Sequence, residues 1–347
     1  MKKRILCFLL SAITLCSLLT GCQPRLKKFS AYEFGLFDTI GAITGYEESE
    51  EEFNKVKTEI FNILREYHQL FDIYAVYPEK TNLCTINNVK NGEVATTVDK
   101  KIVDMLSFSK DAYTLTNGRV NVCMGSVLSI WHDYREEGSD EPWNAKLPPM
   151  DDLVKANEHT SIENLVIDKE NLTVKITDPN CRLDVGAIAK GYAVERVAEY
   201  LESIGKTNYL LNIGGNVRAI GTKGDGTPWL AGLEDPSGEK DFLDILELKD
   251  LSLVTSGSYQ RYYYVDGKTY HHIIDKDTLM PSTGLTAVSV LTKDSGLGDA
   301  LSTSLFCMSV EDGLALVESL EGVEARWLTE SGETFYSTGF SQYIVKE

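Results

Sequence analysis

The sequence predicts a mixed α/β (α+β) fold in which one compact domain is built from two packed lobes. Three observations support this. The chain of 347 residues is 43% hydrophobic and 25% charged, as expected of a folded globular domain. Segments with helical periodicity are interspersed with short apolar segments typical of strands. No break in composition and no repeat separates two units, so a single domain is predicted over residues 33–347.

The elements follow in order along that domain. A strand is predicted at residues 34–46, and a helical spacing of apolar residues predicts a helix over residues 51–71. Further helices are predicted at residues 101–116, 151–157, 190–204, 299–305 and 310–320, with a loop rich in Gly, Pro and acidic residues at 131–150. A hairpin is predicted at residues 166–177, and strands at 182–185, 209–213, 229–233, 252–255, 262–265 and 287–291.

The N-terminus has the pattern of a lipoprotein signal. A basic start at residues 1–4 precedes an apolar run at 5–19 and the sequence Leu19-Thr20-Gly21-Cys22. This predicts a signal peptide at residues 1–21, diacylation of Cys22 and a tether over residues 22–32. The domain would then lie on the outer face of the cytoplasmic membrane, held by lipid. A transmembrane helix is the alternative, although about 15 apolar residues fall short of the ~20 that span a bilayer.

The charge of the chain narrows the class of its partners. The formal net charge is −18, and losing Lys2, Lys3 and Arg4 with the signal peptide makes the mature chain −21. An acidic chain is a poor general partner for nucleic acid. The same charge disfavours binding to anionic lipid headgroups except through the anchor.

Four cysteines remain in the domain after the signal peptide and Cys22 are set aside. They are Cys84, Cys123, Cys181 and Cys307. None belongs to a CxxC pair or lies near a patterned group of histidines, which argues against a structural zinc site. Buried free thiols are expected, and one disulfide remains open as an alternative.

The stretch from Leu183 to Tyr192 has the pattern of a phosphate-binding turn. An apolar run passes through Gly186 and Ala187 directly into a helix that opens near Ala189. Small residues let a backbone approach a ligand, and a helix N-terminus presents N–H groups to an anion. Lys190 would add a mobile cation. A purely structural turn is the alternative. The glycine-rich run at residues 221–226 lacks the spacing of a P-loop and is interpreted as a hairpin loop.

Asp299 and Thr303 are four residues apart, so on a helix their oxygens share one face. Magnesium prefers oxygen ligands, takes few of them from protein and keeps positions open for substrate phosphates. The pair is therefore a candidate magnesium site. The alternative is an aspartate placed near a helix N-terminus by the helix dipole.

The segment His271-His272-Ile273-Ile274-Asp275 ends a strand-like run. Alternation along a strand puts the two histidines on opposite faces, so only one of them is expected to face a site. Histidine accepts protons near neutral pH, and a carboxylate can orient it. A structural histidine is the alternative.

Two further segments are candidate nucleotide contacts. Asn212, Gly214, Gly215 and Asn216 form a tight turn at a strand end, where a backbone can approach a ligand. The segment at residues 255–258, Thr-Ser-Gly-Ser, offers hydroxyl and N–H groups to a phosphate. For both, an ordinary turn is the alternative interpretation.

Together these segments resemble one protein family. The resemblance rests on four segments in this order and spacing: Asn212-Ile213-Gly214-Gly215-Asn216, Thr255-Ser256-Gly257-Ser258-Tyr259, His271-His272-Ile273-Ile274-Asp275 with Pro281, and Gly298-Asp299-Ala300-Leu301-Ser302-Thr303. They are similar to the ApbE family of magnesium-dependent FAD:protein FMN transferases over roughly residues 30–340. The resemblance implies a T-fold-related ApbE-like domain.

The resemblance also implies roles for individual residues. Asp299 and Thr303 would bind magnesium with the backbone carbonyl of Ala187, and His272 and Asp275 would be catalytic. Tyr74 would stack on the isoalloxazine, although packing in the core is an equal alternative. The candidate FAD-binding residues are Tyr74, Asn121, Gly125, Asp184, Lys190, Asn212, Gly214, Gly215, Thr255, Ser256 and His272.

The chain departs from the family pattern at three places. Asp275-Lys276 stands where relatives have Asp-Pro, and Thr278-Leu279 where they have Thr-Gly. Asn82 replaces a glutamate, which weakens any contact to adenosine by that residue. Asn121-Val122-Cys123 replaces Asp-Pro-Thr, while Gly125 and Trp131 keep their places.

The implied reaction is transfer of FMN from FAD to a threonine hydroxyl of a client redox protein, with release of AMP. Clients would be membrane or extracytoplasmic proteins that carry a Ser/Thr-Gly-Ala-Thr type sequence. Two alternatives remain at this stage. One is a metal-dependent FAD pyrophosphatase giving FMN and AMP, and the other is a lipoprotein that binds FAD without turnover.

Overall fold

A computed structural model describes residues 26–89 and 94–346 of the chain. The predicted signal peptide, Cys22 and the first part of the predicted tether lie outside these residues. Within the described ranges, no helix is both long enough and apolar enough to cross a membrane.

The described residues form eight α-helices and fifteen strands. The helices are α1 (Glu50–Phe71), α2 (Leu83–Asn87), α3 (Lys100–Leu115), α4 (Gly125–Asp140), α5 (Met150–Asn157), α6 (Ala189–Ser203), α7 (Ser295–Phe306) and α8 (Val310–Glu318). The strands are β1 (Lys27–Leu36), β2 (Thr39–Glu47), β3 (Thr96–Thr97), β4 (Leu165–Asp168), β5 (Thr173–Ile176), β6 (Asn208–Ile213), β7 (Asn216–Gly221), β8 (Trp229–Glu234), β9 (Phe242–Leu248), β10 (Ser252–Gly257), β11 (Tyr262–Val265), β12 (Lys268–His271), β13 (Leu285–Thr292), β14 (Glu324–Thr329) and β15 (Thr334–Tyr336).

An antiparallel sheet of eight strands, in the order β1-β2-β6-β7-β10-β13-β14-β15, organises the molecule. Helices α1, α6 and α7 pack on one of its faces. The β8–β9 hairpin covers the middle of the other face through a cluster that includes Trp229, Leu246 and Leu253. The β3-β5-β4 sheet and the β11–β12 hairpin are additional small sheets. The predicted mixed α/β fold is confirmed.

Helix α1 illustrates how the sequence dictates an element. Ser49 caps its N-terminus by accepting a hydrogen bond from the Glu52 N–H at 3.2 Å. Three glutamates in the first turn, at residues 50–52, complement the helix dipole. The apolar stripe is buried, with Ile60 and Leu64 fully inaccessible. Each such side chain contributes about 1.5–3 kcal/mol to folding. The helix predicted at residues 51–71 is confirmed.

The strand predicted at residues 34–46 is wrong in its extent. Two strands run over this region, and the chain reverses at Phe37 and Asp38, whose φ angles are 50° and 55°. Strand β1 begins at Lys27 and so occupies residues that were assigned to the tether. The exposed face of this edge hairpin carries apolar side chains, among them Tyr32, Phe34 and Ile40, so the apolar/polar alternation of a half-buried strand is weak there.

Two other predicted elements are corrected. The loop predicted at residues 131–150 is helical as far as Asp140, because α4 buries Trp131 and packs Gly138 against the Tyr263 ring. The strand predicted at 182–185 is not a strand: only Arg182 forms an isolated bridge, to Met124. Two backbone bonds join the segment to residues 122–125, from the Gly125 N–H to the Arg182 carbonyl at 3.1 Å and from the Asp184 N–H to the Val122 carbonyl at 2.8 Å. The Asn87 side chain also donates to the Leu183 carbonyl at 2.9 Å and accepts from its N–H at 2.7 Å.

The remaining predicted elements are confirmed with shifted ends. Helix α7 starts one turn earlier than predicted, at Ser295, where Asp294 caps it by accepting from the Leu297 N–H at 2.9 Å. The glycine-rich run at 221–226 is not the hairpin loop predicted: after Gly221, the last residue of β7, it leads to β8 in a different sheet. All four domain cysteines are free thiols, and Cys84, Cys123 and Cys181 are buried.

Candidate functional site

The candidate site lies at one end of the eight-stranded sheet, where several turns meet. The turn between β6 and β7 consists of Gly214 and Gly215, both with positive φ (54° and 90°). That geometry suits a two-residue hairpin turn and favours glycine at both positions. The Gly214 N–H donates to the Ile40 carbonyl at 3.2 Å, which joins this turn to the β1–β2 hairpin. A side chain on Gly215 would lie 3.8 Å from the Thr255 carbonyl, so the end of β10 is adjacent.

Helices α6 and α7 cross beside these turns at Gly191. Its N–H donates to Asp299 Oδ2 at 2.8 Å. A Cβ at this position would lie 2.2 Å from the Ser295 carbonyl oxygen and 2.6 Å from Asp299 Cβ. Only glycine therefore allows the helices to approach closely enough for the carboxylate to reach the first turn of α6. The prediction that this helix start directs its N–H groups outward is corrected, since Ala189 also donates inward, to the Val185 carbonyl at 2.8 Å.

Asp299 is buried, with 3% of its surface exposed. Burial raises the pKa of its carboxyl group, while Lys190, the Gly191 N–H and the Asn216 amide lower it. Lys190 Nζ lies 4.0 Å from Asp299 Oδ1. A buried carboxylate with one cation and one N–H nearby still has acceptor capacity to offer a ligand.

Thr303 follows Asp299 by one turn on α7, as the spacing predicted. Its hydroxyl lies 3.4 Å from Ser256 Oγ, which is 2.8 Å from Ser302 Oγ. The structure thus brings Ser256, predicted from a different motif, to the same place. No group of three or more His, Cys, Asp or Glu side chains suited to a metal occurs in residues 26–89 and 94–346. A cation here would need hydroxyl, carbonyl and substrate oxygens beside the single carboxylate, a donor set that magnesium accepts.

A buried ion pair fixes the helix that carries Asp299. Arg218 on β7 donates from Nε to Glu195 Oε2 on α6 at 3.2 Å. The same oxygen accepts from the Ser295 N–H, the first residue of α7, at 2.8 Å. The pair therefore links β7, α6 and the start of α7 into one rigid unit. Sequence reasoning missed it, because a charged residue within an amphipathic helix resembles a solvated one.

The two adjacent histidines have different surroundings, as strand alternation predicted. His271 is 7% exposed. It donates from Nε2 to the Ser282 carbonyl at 2.7 Å, and its Nδ1 accepts from the Ile273 N–H at 3.2 Å. Its ring packs edge-on against Phe306. Both ring nitrogens are thus satisfied, as in a structural core histidine.

His272 instead lies at the cleft. Its Nδ1 is 3.2 Å from the Arg261 carbonyl, an acceptor, so Nδ1 carries the proton and Nε2 is left with a lone pair. Burial, followed by the positive charges of Arg261, Lys190 and Arg135, lowers the pKa of His272 to about 3. The imidazole is therefore neutral at neutral pH and able to accept a proton.

Asp275 does not orient His272 by a hydrogen bond. Its Oδ1 accepts from the N–H groups of Asp277 and Thr278, at 2.9 and 2.8 Å, and so closes its own turn. Leu279, in the place where relatives have glycine, has a φ of 59°. The departures from the family pattern leave the turn formed, with the carboxylate used inside it. A catalytic role for Asp275 stays a prediction.

Asp184 lies across the cleft from these turns. Its Oδ1 accepts from the Gly186 N–H at 2.8 Å. Burial raises the pKa of its carboxyl group, and the Gly186 N–H, His132, Arg135 and Arg261 lower it. Because Asn87 clamps the neighbouring backbone of Leu183, this segment holds its position without being part of a sheet.

The basic residues around the cleft were missed by sequence reasoning. Arg135 and His132 are on α4, in a region predicted to be a loop, and their side chains are 2.9 Å apart. Arg261 reaches the backbone carbonyl of Asp38 at 3.3 Å. Together with Lys190 these residues form a local cationic environment in a chain of formal net charge −18. Such an environment attracts a polyanion.

Comparison with known proteins decides the family. A model of the ApbE family matches residues 37–327. The chain belongs to the ApbE family. The FAD:protein FMN transferase of Vibrio cholerae is 32% identical over 266 residues, which is 76% of each chain. That of Klebsiella pneumoniae is 29% identical and covers 80% of this chain and 84% of its own.

Solved structures agree. The ApbE protein of Thermotoga maritima has a TM-score of 0.81 at 26% identity, covering 92% of this chain and all of its own. The flavin transferase ApbE from Vibrio cholerae has a TM-score of 0.75 at 25% identity, covering 92% of this chain and 99% of its own. The predicted resemblance to this family is thereby confirmed.

Tyr74 of this ApbE family member is available for a ligand. Its side chain is 60% exposed, and its ring centroid lies 4.8 Å from that of His132, with the rings tilted by 32°. The alternative of core packing is therefore wrong. Stacking on a flavin stays a prediction.

Several other residues that were predicted to bind FAD make hydrogen bonds or close contacts within the protein. The Asn121 amide donates to the Thr160 carbonyl at 2.8 Å and accepts from the Cys123 N–H at 2.9 Å. A side chain on Gly125 would lie 2.6 Å from the Arg182 carbonyl. Asn212 accepts from the Gly215 N–H at 3.2 Å. Thr255 lies 2.9 Å from Ser289, hydroxyl to hydroxyl. Contacts from these residues to FAD stay predictions.

Asn82 is fully buried and caps α2. Its side-chain oxygen accepts from the Thr85 N–H and hydroxyl, both at 2.9 Å, and its amide donates to the carbonyls of Gln69 and Ala75. Every polar atom of this side chain is thus occupied by the protein. The residue that replaces a family glutamate serves the local fold.

Proposed function

We propose that this ApbE family member is a magnesium-dependent FAD:protein FMN transferase, which moves the FMN half of FAD to a threonine hydroxyl of a client redox protein and releases AMP. The observation that carries the proposal is the cleft itself. The buried Asp299 at the α6–α7 crossing, with Thr303 one turn on, lies beside Lys190. The charge of Lys190 also acts on the neutral His272, together with those of Arg261 and Arg135. Two relatives named FAD:protein FMN transferase, from Klebsiella pneumoniae and Vibrio cholerae, support the same reaction.

The cationic side chains would bind the pyrophosphate of FAD. Lys190 lies at the start of α6, next to Asp299, while Arg135 and Arg261 approach from the other side. Asp299, Thr303 and the Ala187 carbonyl would hold magnesium, which would neutralise charge that develops on the leaving phosphate. The exposed face of Tyr74 would contact the isoalloxazine.

His272 would act as the general base. The Arg261 carbonyl holds its Nδ1–H, and Nε2 is free to take the proton of the client threonine. The threonine oxygen then forms a bond to the phosphorus of the FMN half. The bond from that phosphorus to the bridging oxygen breaks, and AMP leaves with this oxygen. Bound pyrophosphate offsets the nearby positive charges, which raises the pKa of His272 from about 3 and makes it a stronger base.

We further propose that the chain is exported and anchored by lipid on Cys22, beside its clients. Support comes from the basic start, apolar run and Leu19-Thr20-Gly21-Cys22 sequence. Clients would carry a Ser/Thr-Gly-Ala-Thr type sequence. Replacing Cys22 by Ser is expected to block lipidation and release the protein from the membrane fraction, measured by fractionation and by mass. Unchanged processing and retention would contradict the anchor.

Three outcomes of one experiment separate the candidate reactions. The protein is incubated with FAD, magnesium and a peptide containing the Ser-Gly-Ala-Thr sequence, and the peptide is then weighed. A gain of one FMN per peptide, with AMP released, is the expected result. Release of AMP and free FMN without a change in the peptide would identify a pyrophosphatase instead. FAD that stays bound and unchanged would indicate a storage protein.

A further inference from the structure

The β1–β2 hairpin has an exposed apolar face. Tyr32 and Phe34 are two residues apart on β1 and are 66% and 75% exposed. Ile40, which pairs directly with Phe34 across the hairpin, is 51% exposed. Residues two apart on a strand share a face, and so do directly paired residues, so these three side chains form one patch, here called the hairpin patch.

The patch exists because the second layer of the molecule ends before it. Next to the centre of the sheet, β8–β9 covers this face, and Trp229 on β8 lies against Tyr46 near the far end of the hairpin. Toward the turn at Phe37 and Asp38, residues 26–89 and 94–346 provide no such cover, and the side chains that point there are exposed. On the opposite face Ile43 is fully buried under the helices. Contiguous exposed apolar side chains of this kind mark an interaction surface.

The length of chain before the hairpin limits what can cover the patch. Strand β1 begins at Lys27, five residues after Cys22. Fully extended, five residues span at most about 18 Å. If Cys22 carries lipid, the start of β1 is held within that distance of the bilayer.

The charge along β1 also favours contact of this region with a lipid bilayer. Lys27 and Lys28 are exposed at the start of the strand, and Lys28 projects from the same face as Tyr32 and Phe34. This local positive charge contrasts with the acidic chain as a whole. Basic side chains attract anionic lipid headgroups, and aromatic side chains favour the membrane–water interface.

We propose that the hairpin patch, together with Lys27 and Lys28, lies on the surface of the membrane and sets the orientation of the enzyme there. The inference rests on the lipid anchor of the proposed function. Retention would come from the lipid, while the patch would fix which side of the domain meets the bilayer.

The orientation matters because the hairpin adjoins the cleft. The Phe37 N–H at its turn donates to His68 Nδ1 on α1 at 3.2 Å, and Arg261 contacts the Asp38 carbonyl. Arg261 also supplies the carbonyl that holds His272. A hairpin resting on the membrane would therefore keep the mouth of the cleft close to the bilayer, within reach of a threonine on a membrane-embedded client.

Hydroxyl-radical footprinting tests the proposal on the lipidated full chain. The protein is placed in vesicles of phosphatidylethanolamine and phosphatidylglycerol and compared with the mature Cys22→Ser chain free in solution. Oxidation of Tyr32 and Phe34 is expected to fall several-fold in vesicles. Phe242 on β9, which is 49% exposed and belongs to the β8–β9 layer, serves as the internal control and is expected to keep its rate. Equal rates for Tyr32 and Phe34 in both states would overturn the proposal.

Partition of the mature Cys22→Ser chain onto the same vesicles gives a second measurement. The double variant Lys27→Gln/Lys28→Gln is expected to bind about 25-fold more weakly, at about five-fold per lysine. Phe34→Ser/Ile40→Ser is expected to lower partition at least ten-fold, and the matched control Phe242→Ser/Ile245→Ser to leave it unchanged. Equal partition of the two apolar variants would overturn the proposal.

Flavin transfer to the soluble peptide separates this inference from the proposed reaction. Phe34→Ser/Ile40→Ser is expected to transfer at the wild-type rate in solution, because neither side chain belongs to the cleft. If no variant transfers flavin, the proposed reaction fails while the partition results still decide the membrane contact. If the patch variant partitions normally but loses transfer to a folded client protein alone, the patch docks the client and the membrane proposal is wrong.

Discussion

The two sides of the cleft are built differently. On one side Gly191, Asp299 and Thr303 belong to helices α6 and α7, and a buried ion pair locks those helices to the sheet. On the other side Tyr74 and His272 lie in loops, and the hairpin turn that flanks them rests on contacts from His68 and Arg261. We call these the helical side and the loop side.

The difference matches what each side would have to do. A metal site and a pyrophosphate require donor atoms fixed to within a fraction of an ångström, which packed helices provide. Stacking on a flat ring tolerates small shifts, and a loop that can move allows a client protein to approach. Substitutions that disturb the packing or hydrogen bonds of the helical side should therefore affect both turnover and stability. Substitutions on the loop side should affect turnover or affinity and leave the fold intact.

The largest expected effect is that of Asp299→Asn on the helical side. The amide oxygen can still accept the Gly191 N–H, so the fold should persist, but the charge that would hold magnesium is lost. Magnesium-dependent release of AMP should fall by more than about 10³-fold. Asp299→Ala should have the same effect on turnover with an added loss of stability. Normal turnover in a folded Asp299→Asn protein would place the metal elsewhere.

On the loop side, His272→Ala should reduce FMN transfer by ~10²- to 10⁴-fold at saturating FAD and magnesium while FAD still binds. His271→Ala is the matched control, and the structure sharpens what it should do. Because His271 is buried and bonded to Ser282, its removal should lower the free energy of unfolding by about 1–3 kcal/mol. Its transfer rate should be only mildly reduced. Equal losses of transfer in the two variants would contradict the assignment of the base.

Gly191→Ala probes how closely the helical side is packed. The added methyl group would meet the Ser295 backbone at 2.2 Å, so α6 and α7 must move apart. We expect the free energy of unfolding to fall by about 3 kcal/mol or more, as in overpacked cores, together with loss of turnover. Gly313→Ala on α8, where the nearest atom is a Trp327 side-chain carbon at 3.1 Å, should cost less. Urea titration of both variants measures the two free energies of unfolding. Similar losses would mean that α6 and α7 can move apart at little cost.

The smallest effect is expected for Tyr74→Ala on the loop side. Loss of a ring that contacts the flavin should weaken FAD binding by about 1 kcal/mol, or roughly five-fold, without a change in unfolding. Tyr74→Phe keeps the ring and should bind FAD normally. Flavin fluorescence titration distinguishes them. If Tyr74→Ala binds FAD as tightly as wild type, the flavin lies elsewhere in the cleft.

On both sides of the cleft the sequence predicted the features that depend on regular spacing and missed those that depend on tertiary contacts. Asp299 and Thr303 are four residues apart, so their position on one face of a helix can be predicted from the sequence. The alternation of His271 and His272 was equally readable. The cations Arg135 and Arg261 were not, because Arg135 sits on α4, whose Gly and acidic residues resemble a loop, and Arg261 acts only through a tertiary contact.

The same reasoning explains the errors in the fold. The tether and strand predicted for the N-terminal region missed the exposed hairpin, because its solvent face carries Tyr32, Phe34 and Ile40 and so hides the apolar/polar alternation of a half-buried strand. The strand predicted at residues 182–185 is not part of a sheet. Its backbone bonds to residues 122–125 and, at Leu183, to the Asn87 side chain, which is 96 residues away in the sequence. Local sequence carries no signal for a bond of that range.

The hydrogen bond from Gly191 to Asp299 has a consequence for measuring this enzyme. The bond cannot open unless α6 and α7 separate, and their separation also breaks the buried hydrogen bond from the Ser295 N–H to Glu195, the partner of Arg218. The amide hydrogen of Gly191 should therefore exchange with solvent deuterium only when the whole domain unfolds, whereas amides at the Phe37–Asp38 turn exchange through local fluctuations. The exchange rate at this one glycine reports the global free energy of unfolding. Slower exchange on addition of FAD would measure how much FAD binding stabilises the folded domain.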